Sequence, residues 1–413
     1  MNRRQFVLGV ALPFALIPAA QAPAAQFTTL TYNVRGLPPQ VIEDRSAEIA
    51  AIAPLLEDFH TANGLIDGID SVVLMQELFY QPYYDTLTDA QTVSYPFKTA
   101  KDSSGPSGIG DGLNMLTDFT FSGFDRTQWT HCYGTQGQDG SDCDTNKGYS
   151  FATFDFGDGL QVDVYNLHAD AGQDLESQIA RRFNIDQLVD AINSRSPPGT
   201  AVIVMGDTNS LYTRAPDDDV ITLQTNPGLT DVWVELVNGG TTPAPGPEID
   251  SGCTSDPSGP NCELIDKVFY RSGNGVILTA LNYEVHKAEF SDAGGDLSDH
   301  FPVAVLFDVS AGPTTTTSTT TTTVTVSSTT TTTVPAGGAC ADPVALTAGR
   351  TSWAASVTAS DALFILGAAV GIQTCDLCVC DADGSGGVAA TDALVTLRAA
   401  VGQPVSLECP PCT

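Results

Sequence analysis

Between residues 313 and 334 the chain is almost entirely Thr, Ser and Val, entered through Ala311-Gly312 and left through Pro335-Ala336-Gly337-Gly338. A run with so few large apolar groups cannot offset the entropy of its own ordering, so it belongs to no packed core. It predicts an extended tether over residues 311–338, suited to O-glycosylation, and forbids one continuous fold. The 413 residues therefore divide into a body at 25–310 and a tail at 339–413.

The first 24 residues read as a secretory signal. Arg3 and Arg4 open it, an apolar stretch interrupted by Pro13 and Pro18 follows, and Ala22 and Ala24 suit cleavage. The paired arginines before Gln5-Phe6-Val7-Leu8 look like a twin-arginine signal, which predicts export of an already folded protein. No later run approaches the roughly 18 apolar residues of a spanning helix. The expectation is a secreted or cell-surface protein. Cysteine usage agrees, with four Cys before the tether and six after it. Cys132 with Cys143 and Cys253 with Cys262 bracket short polar loops and predict local disulfides. Cys340, Cys375, Cys378, Cys380, Cys409 and Cys412 predict three more, of undetermined connectivity.

In the body, apolar runs of strand length alternate with helical patterns. Strands are predicted at 27–34, 71–76, 149–156, 160–167, 201–205, 264–270 and 302–309, and helices at 43–59 and 175–192. These strands are too apolar to face water on one side, which predicts packed sheets covered by helices. Strand after strand ends in a side chain fit for phosphate or metal chemistry. Asn33 closes one, Glu77 follows the next, and His168 closes a third; Asp207 and Asn209 end a fourth, Asp266 opens a fifth, and Asp299-His300 precede the last. Strand ends at one sheet edge converge, so these residues are expected to line one cleft. Glu77 is a hard oxygen ligand, with amide support from Asn33, suited to Mg²⁺ or Mn²⁺. The imidazoles and remaining carboxylates can move protons, and water beside a metal is the natural nucleophile toward a phosphate ester.

The segments TYNV, MQE, YNLHAD, GDTN, IDKVF and SDHFPV occur in an order and spacing that resembles the endonuclease/exonuclease/phosphatase superfamily. That fold is shared by DNase I-like nucleases, bacterial sphingomyelinases and inositol-polyphosphate 5-phosphatases. The resemblance covers about residues 27–309 and implies an α/β four-layer sandwich, two packed mixed β-sheets flanked by helices. It implies that Glu77 binds the catalytic Mg²⁺ (or Mn²⁺) with Asn33 in its near shell, and that His300, oriented by Asp266, takes the proton of the attacking water. Asp299 would sit beside His300, Asp207 and Asn209 would act around the scissile phosphorus, and His168 would contact its non-bridging oxygens. The Lys147-Gly148 pair resembles the sphingomyelinase branch, where a lysine faces the phosphate.

The choice of ester rests on less. The net charge is −32, and the body holds 13 bases against 42 acids, which disfavours nucleic acid as a partner without excluding a DNase I-like endonuclease. An inositol-polyphosphate phosphatase would need several cations at the cleft. Aromatics at 79–84 and 121–129, expected in loops beside the cleft, suit a membrane surface and favour a phosphodiesterase of sphingomyelinase or phospholipase C type. A scaffold or adhesion protein retaining the fold is the non-enzymatic alternative.

In the tail, residues 357–371 and 388–402 are near copies. Asp381, Asp383, Ser385 and Asp392 stand at positions 1, 3, 5 and 12 of a loop with Gly386 at position 6, a Ca²⁺-binding pattern. It resembles a dockerin, a small all-α module, and implies a cohesin-like partner or attachment to the cell surface. The first copy has Arg350, Ser352 and Ala354 at matching positions and is expected to bind nothing.

Overall fold

The computed structural model describes residues 25–61, 69–105, 108–135, 141–215, 217–246, 253 and 256–312 of the body, and 357, 359–369, 375, 377–400 and 405–410 of the tail. The expected signal at 1–24, the Thr-rich run at 313–334 and the first tail loop lie outside them. Two units emerge from the contacts, the second beginning at Ser318.

The body contains β1 (Ala25–Asn33), α1 (Ser46–Thr61), β2 (Ser71–Gln76), α2 (Gln81–Leu87), β3 (Phe97–Lys98), β4 (Asn114–Thr117) and β5 (Thr120–Gln128). There follow β6 (Gly148–Asp155), β7 (Gln161–His168), α3 (Leu175–Arg195), β8 (Val202–Asp207), α4 (Ile221–Thr225), β9 (Thr230–Asp231) and α5 (Val232–Leu236). The last are β10 (Asp266–Arg271), β11 (Val276–Val285), the small hairpin β12 (Ser291–Asp292) and β13 (Gly295–Asp296), and β14 (Val303–Ala311). One six-stranded sheet runs β11-β14-β1-β2-β4-β3 and the other β5-β6-β7-β8-β10-β9. Each is mixed, with a parallel pair at its centre, β1 with β2 and β7 with β8.

The sheets pack face to face through β1, β2, β7, β8 and β10. Phe27, Val72, Leu74, Val164, Met205 and Val268 belong to one buried apolar cluster, which continues beneath α3 through Ile185, Leu188 and Ile192. A second cluster joins Leu30, Tyr32, Val73 and Met75 to Ile49, Ile52 and Leu56 of α1. Alternate residues of β1 and β2 thus serve opposite faces, as the two-residue repeat of a strand requires. Near the functional edge the sheets are tied by polar groups. Gln76 Nε2 donates to Asn166 Oδ1 at 2.7 Å and Asn166 Nδ2 to the Met75 carbonyl at 3.0 Å, all buried. Buried amides paired in this way fix register, because any slip leaves them unsatisfied.

Gly206, in the GDTN segment, has φ +144°, and a Cβ there would lie 2.1 Å from the Leu167 carbonyl oxygen. Gly206→Ala is expected to cost about 3 kcal/mol through strain and overpacking. Urea unfolding measures this, and a loss below about 1 kcal/mol would contradict the assignment.

Both predicted disulfides of the body form, Cys132–Cys143 and Cys253–Cys262. The aromatic segments expected in loops lie in them only in part, Phe79 and Tyr80 in the loop after β2 and Trp129 just beyond β5. Residues 81–84 start α2, residues 121–128 belong to β5, and Phe79, Tyr83 and Trp129 are buried. These three rings therefore fill the core rather than a landing surface. Among the described residues no helix is long and apolar enough to cross a membrane.

The tail has helices α6 (Ala359–Ala369), α7 (Leu377–Cys380) and α8 (Ala390–Ala400). Ile365, Val379, Cys380, Ala382 and Ala393 form its buried centre, and Cys375 is bonded to Cys380. Asp381 accepts hydrogen bonds from the Ser385 and Gly386 amides, both at 2.8 Å, and Asp392 from the Asp383 and Ala389 amides at 3.0 and 2.8 Å. Oxygens of Asp381, Asp383 and Asp392 lie within 4.8 Å of one another.

Candidate active site

The strand directions explain why distant residues meet. β1, β7 and β8 end at the edge where the antiparallel β10 and β14 begin, so Asp207 pairs with His168 on one side and Asp266 on the other. Glu77 leaves β2 at this edge with φ +57° and Asn209 leaves β8 with φ +52°. Left-handed backbone at a non-glycine residue is costly and persists only where the surroundings impose it.

Asn33 is the hub, fully buried. Its Nδ2 donates to Glu77 Oε1 and Asp207 Oδ2, each at 3.0 Å, while its Oδ1 accepts the Arg35 amide at 3.0 Å. Ser298 Oγ donates to the Asn33 carbonyl at 2.7 Å. The amide thus turns its nitrogen, not its oxygen, toward the carboxylates. In this geometry Asn33 braces both Glu77 and Asp207 through its nitrogen.

His300 Nδ1 lies 2.8 Å from Asp266 Oδ2, and its Nε2 faces Asp207 Oδ2 at 3.6 Å. Burial would lower the His300 pKa, but the charges of Asp266 and Asp207 outweigh it and hold the imidazole well above its usual range. His168 Nε2 is 3.4 Å from Asp207 Oδ2 and 3.7 Å from Glu77 Oε1. Burial, with the Lys147 and His300 charges, keeps His168 neutral, its pKa well below the ordinary value. Trp129 Nε1 braces the His168 carbonyl at 2.7 Å.

Burial also pushes the Glu77 and Asp207 carboxyls above their ordinary range, despite the Lys147 charge near Glu77 and His300 near Asp207. Lys147 is buried and ion-paired with Asp142. Burial alone would lower its pKa, yet Asp142 and Glu77 hold it raised. Glu77, His168 and Asp207 each offer a ligand atom within 4.8 Å of the others, and so do Asp207, Asp266 and His300. Both ring nitrogens of His168 are buried without a hydrogen-bond partner. Two under-compensated carboxylates beside an unsatisfied imidazole are the donor set a divalent cation would relieve.

Two predicted residues stand at the margin. The Asp299 side chain is 55% exposed and pairs with Arg35 Nε at 3.3 Å, at the mouth rather than in the cluster. Asn209 donates from Nδ2 to the Ala169 carbonyl at 3.0 Å and from its amide to Asp207 Oδ1 at 2.8 Å, bracing the loop under Asp207. Beside His300 opens a cleft of about 230 Å³, with Gln173, Arg214, Asp266 and Asp299 among its walls. The sequence reading missed Asp142, Ser298, Gln76 and Asn166. For the last two a signal existed, since Gln76 precedes Glu77 and Asn166 shares the face of His168 by the period of two.

No family model matches the chain. Over 290 residues, 69% of its length, it is 34% identical to the sphingomyelinases of Mycobacterium tuberculosis and Mycobacterium bovis. The match spans about half the length of those curated relatives, 53%. Among solved structures, sphingomyelinase C from Streptomyces griseocarneus is 19% identical, covering 70% of this chain and 100% of that one with a TM-score of 0.46. A beta toxin from Staphylococcus aureus is 17% identical over 67% of this chain and 98% of that one, also with a TM-score of 0.46.

Proposed function

We propose that the chain is an exported, Mg²⁺-dependent phosphodiesterase of sphingomyelinase type within the endonuclease/exonuclease/phosphatase superfamily, with Mn²⁺ as the alternative ion. One observation carries this reading: an imidazole fixed by a carboxylate, His300 on Asp266, faces the buried acid Asp207, which Asn33 ties to the hard oxygen ligand Glu77. The likeness to the mycobacterial sphingomyelinases over 290 residues supports the lipid phosphodiester as substrate.

Glu77, steadied by Asn33 and flanked by His168 and Asp207, would hold the ion. When bound, the ion supplies positive charge against the charge growing on the phosphoryl oxygens. The chain's own groups do the rest. Asp266 fixes the His300 Nδ1–H, leaving Nε2 to take the proton of the attacking water. Asp207, its carboxyl pushed up by burial, suits holding or delivering a proton beside the phosphorus. His168, neutral and wedged by Trp129, donates a hydrogen bond to a non-bridging oxygen. Lys147 adds a fixed positive charge behind Glu77, Asn209 steadies the loop under Asp207, and Asp299 guards the mouth through Arg35.

Asp266→Asn tests the imidazole's role through pH. His300 works as a base only when unprotonated, and the Asp266 charge raises its pKa, so kcat/KM rises with pH up to that raised value. Removing the charge moves the acidic limb to lower pH, while the lost orientation lowers the plateau on the order of 10²-fold. A pH–rate profile with an unmoved limb would assign the base elsewhere.

Parallel assays on sphingomyelin liposomes, plasmid DNA and inositol phosphates test the substrate. Lipid cleavage is expected, and DNA nicking without it would replace the lipid reading with a nuclease. For the tail we propose one Ca²⁺ held by Asp381, Asp383, Ser385 and Asp392 in a dockerin-like loop that docks a cohesin-like protein. Calorimetric titration should find about one Ca²⁺ site in the tail, weakened at least tenfold by Asp381→Ala.

A further inference from the structure

A lipid phosphodiester lies at a bilayer surface, so the edge of the body that carries the cleft must come within reach of that surface. The chain path puts the start of α3 at this edge. β7 and β8 run parallel and end there in His168 and Asp207, and α3 crosses from the end of one to the start of the other. Arg181 Nη1, near the start of α3, donates to the Asp170 carbonyl at 3.1 Å, just past the end of β7. Ser196 Oγ, at the far end of α3, donates to Asp163 Oδ2 at 2.6 Å, near the start of β7. Gln173, two residues before Leu175, lines the cleft itself.

The outer face of α3 is apolar at its cleft end. Leu175, Ile179 and Phe183 stand four residues apart and so share one stripe, 61%, 41% and 45% exposed. Further from the cleft the exposed residues of the helix include Asp186 and Asp190, so the face turns from apolar to acidic along its length. The Phe183 ring is stacked on His131, centroids 4.0 Å apart, which fixes it at the surface. Val41, 62% exposed, lies in the loop that leaves β1 at the same edge. Arg35 ties that loop to the cleft mouth, pairing with Glu43 and with Asp299, each at 3.3 Å. Val41 and Leu175 are the two most exposed large apolar side chains among the described residues, and both belong to segments entered from the catalytic edge. Phe97, Leu236 and Leu281 also emerge, but each stands alone on its own element, as is ordinary for a protein surface.

We propose that Leu175, Ile179 and Phe183, together with Val41, form the surface that seats the body on a zwitterionic phosphocholine bilayer. This rests on the lipid-phosphodiesterase reading of the adjoining cleft. Charge selects the kind of bilayer. A chain of net charge −32 is repelled by an anionic leaflet, whereas insertion of apolar side chains needs no opposite charge. Asp186 and Asp190 then fall on the part of α3 that has left the interface.

Vesicles of phosphatidylcholine alone test the contact apart from turnover. The full chain is sedimented with them beside a paired variant, Leu175→Gln with Ile179→Gln, and beside Phe183→Gln. The paired variant is expected to lower the partition coefficient about tenfold or more, Phe183→Gln about threefold, and salt at about 1 M to leave parent binding in place. On sphingomyelin liposomes the paired variant should lose about tenfold in kcat/KM, while turnover of water-soluble bis-p-nitrophenyl phosphate stays within about twofold of the parent. These substitutions replace exposed side chains with a good helix former, so melting should not move. Equal vesicle binding by parent and variants overturns the surface, and so does a parent that stays in the supernatant. Equal losses on liposomes and soluble diester overturn it too, as does a dimer in analytical ultracentrifugation that the paired variant dissolves, since a second copy would then cover the stripe. Should the parent cleave no sphingomyelin, the activity reading falls, and the phosphatidylcholine vesicles still decide the docking surface.

Discussion

His300→Ala is expected to lower kcat/KM on bis-p-nitrophenyl phosphate by about 10³-fold, within the range for losing a positioned general base. The imidazole lies between Asp266 at 2.8 Å and Asp207 at 3.6 Å, and no other described imidazole has a carboxylate on one ring nitrogen and this buried acid on the other. His168 cannot substitute, because its ring sits between Glu77 and Asp207 with its pKa depressed by burial. Removing the imidazole also takes the cationic partner from the buried Asp266 and Asp207 carboxylates, so the variant should melt below the parent and the rate is compared at a temperature where both are folded. A variant that keeps more than about a tenth of the parent rate removes His300 from the base's role.

Glu77→Gln should separate activity from stability in the opposite direction. Turnover is expected to fall by about 10²–10³-fold, because the amide carries no charge to hold a divalent ion at the phosphoryl group. In chelator the same variant should melt at or above the parent. The sign follows from burial. The Glu77 carboxyl is raised above its ordinary range, so its ionised form disfavours the folded state, and the parent loses stability as pH rises through that raised value. Added Mg²⁺ should then raise the parent's melting temperature at neutral pH and leave Glu77→Gln nearly unmoved. Thermal scans with and without Mg²⁺ at pH 7 measure both effects. Equal shifts in the two proteins would place the ion elsewhere.

Much of this site was legible before any fold was known, because chemistry-bearing residues terminate apolar runs. An apolar run of strand length must be buried, and its polar end must reach an edge, so Glu77, His168, Asp207 and His300 could be assigned to one rim. The predicted strands at 71–76, 160–167 and 201–205 correspond to β2, β7 and β8 within a residue or two. Strands β5 and β11 escaped notice because they lie at sheet margins and expose residues along their length, so their patterns are too polar for an apolar-run search. The aromatics at 79–84 and 121–129 were only partly legible for a related reason. A ring beside a site looks the same in sequence whether it turns outward or inward, and here Phe79, Tyr83 and Trp129 turn inward.

The sequence alone determined where a Thr-rich stretch of few large apolar residues falls between two cysteine-bearing parts of the chain, and which residues could carry phosphate chemistry. Those are matters of composition and local period. Only the tertiary structure decided how the side chains are aimed. Asn33 turns its nitrogen to Glu77 and Asp207 because the Arg35 amide claims its oxygen, and Asp299 is drawn to Arg35 at the mouth. Lys147 finds Asp142, and His286 is left facing two carboxylates across gaps no hydrogen bond fills. A hydrogen bond depends on distance and angle to tenths of an ångström, and that precision arises only when separate strands are packed together.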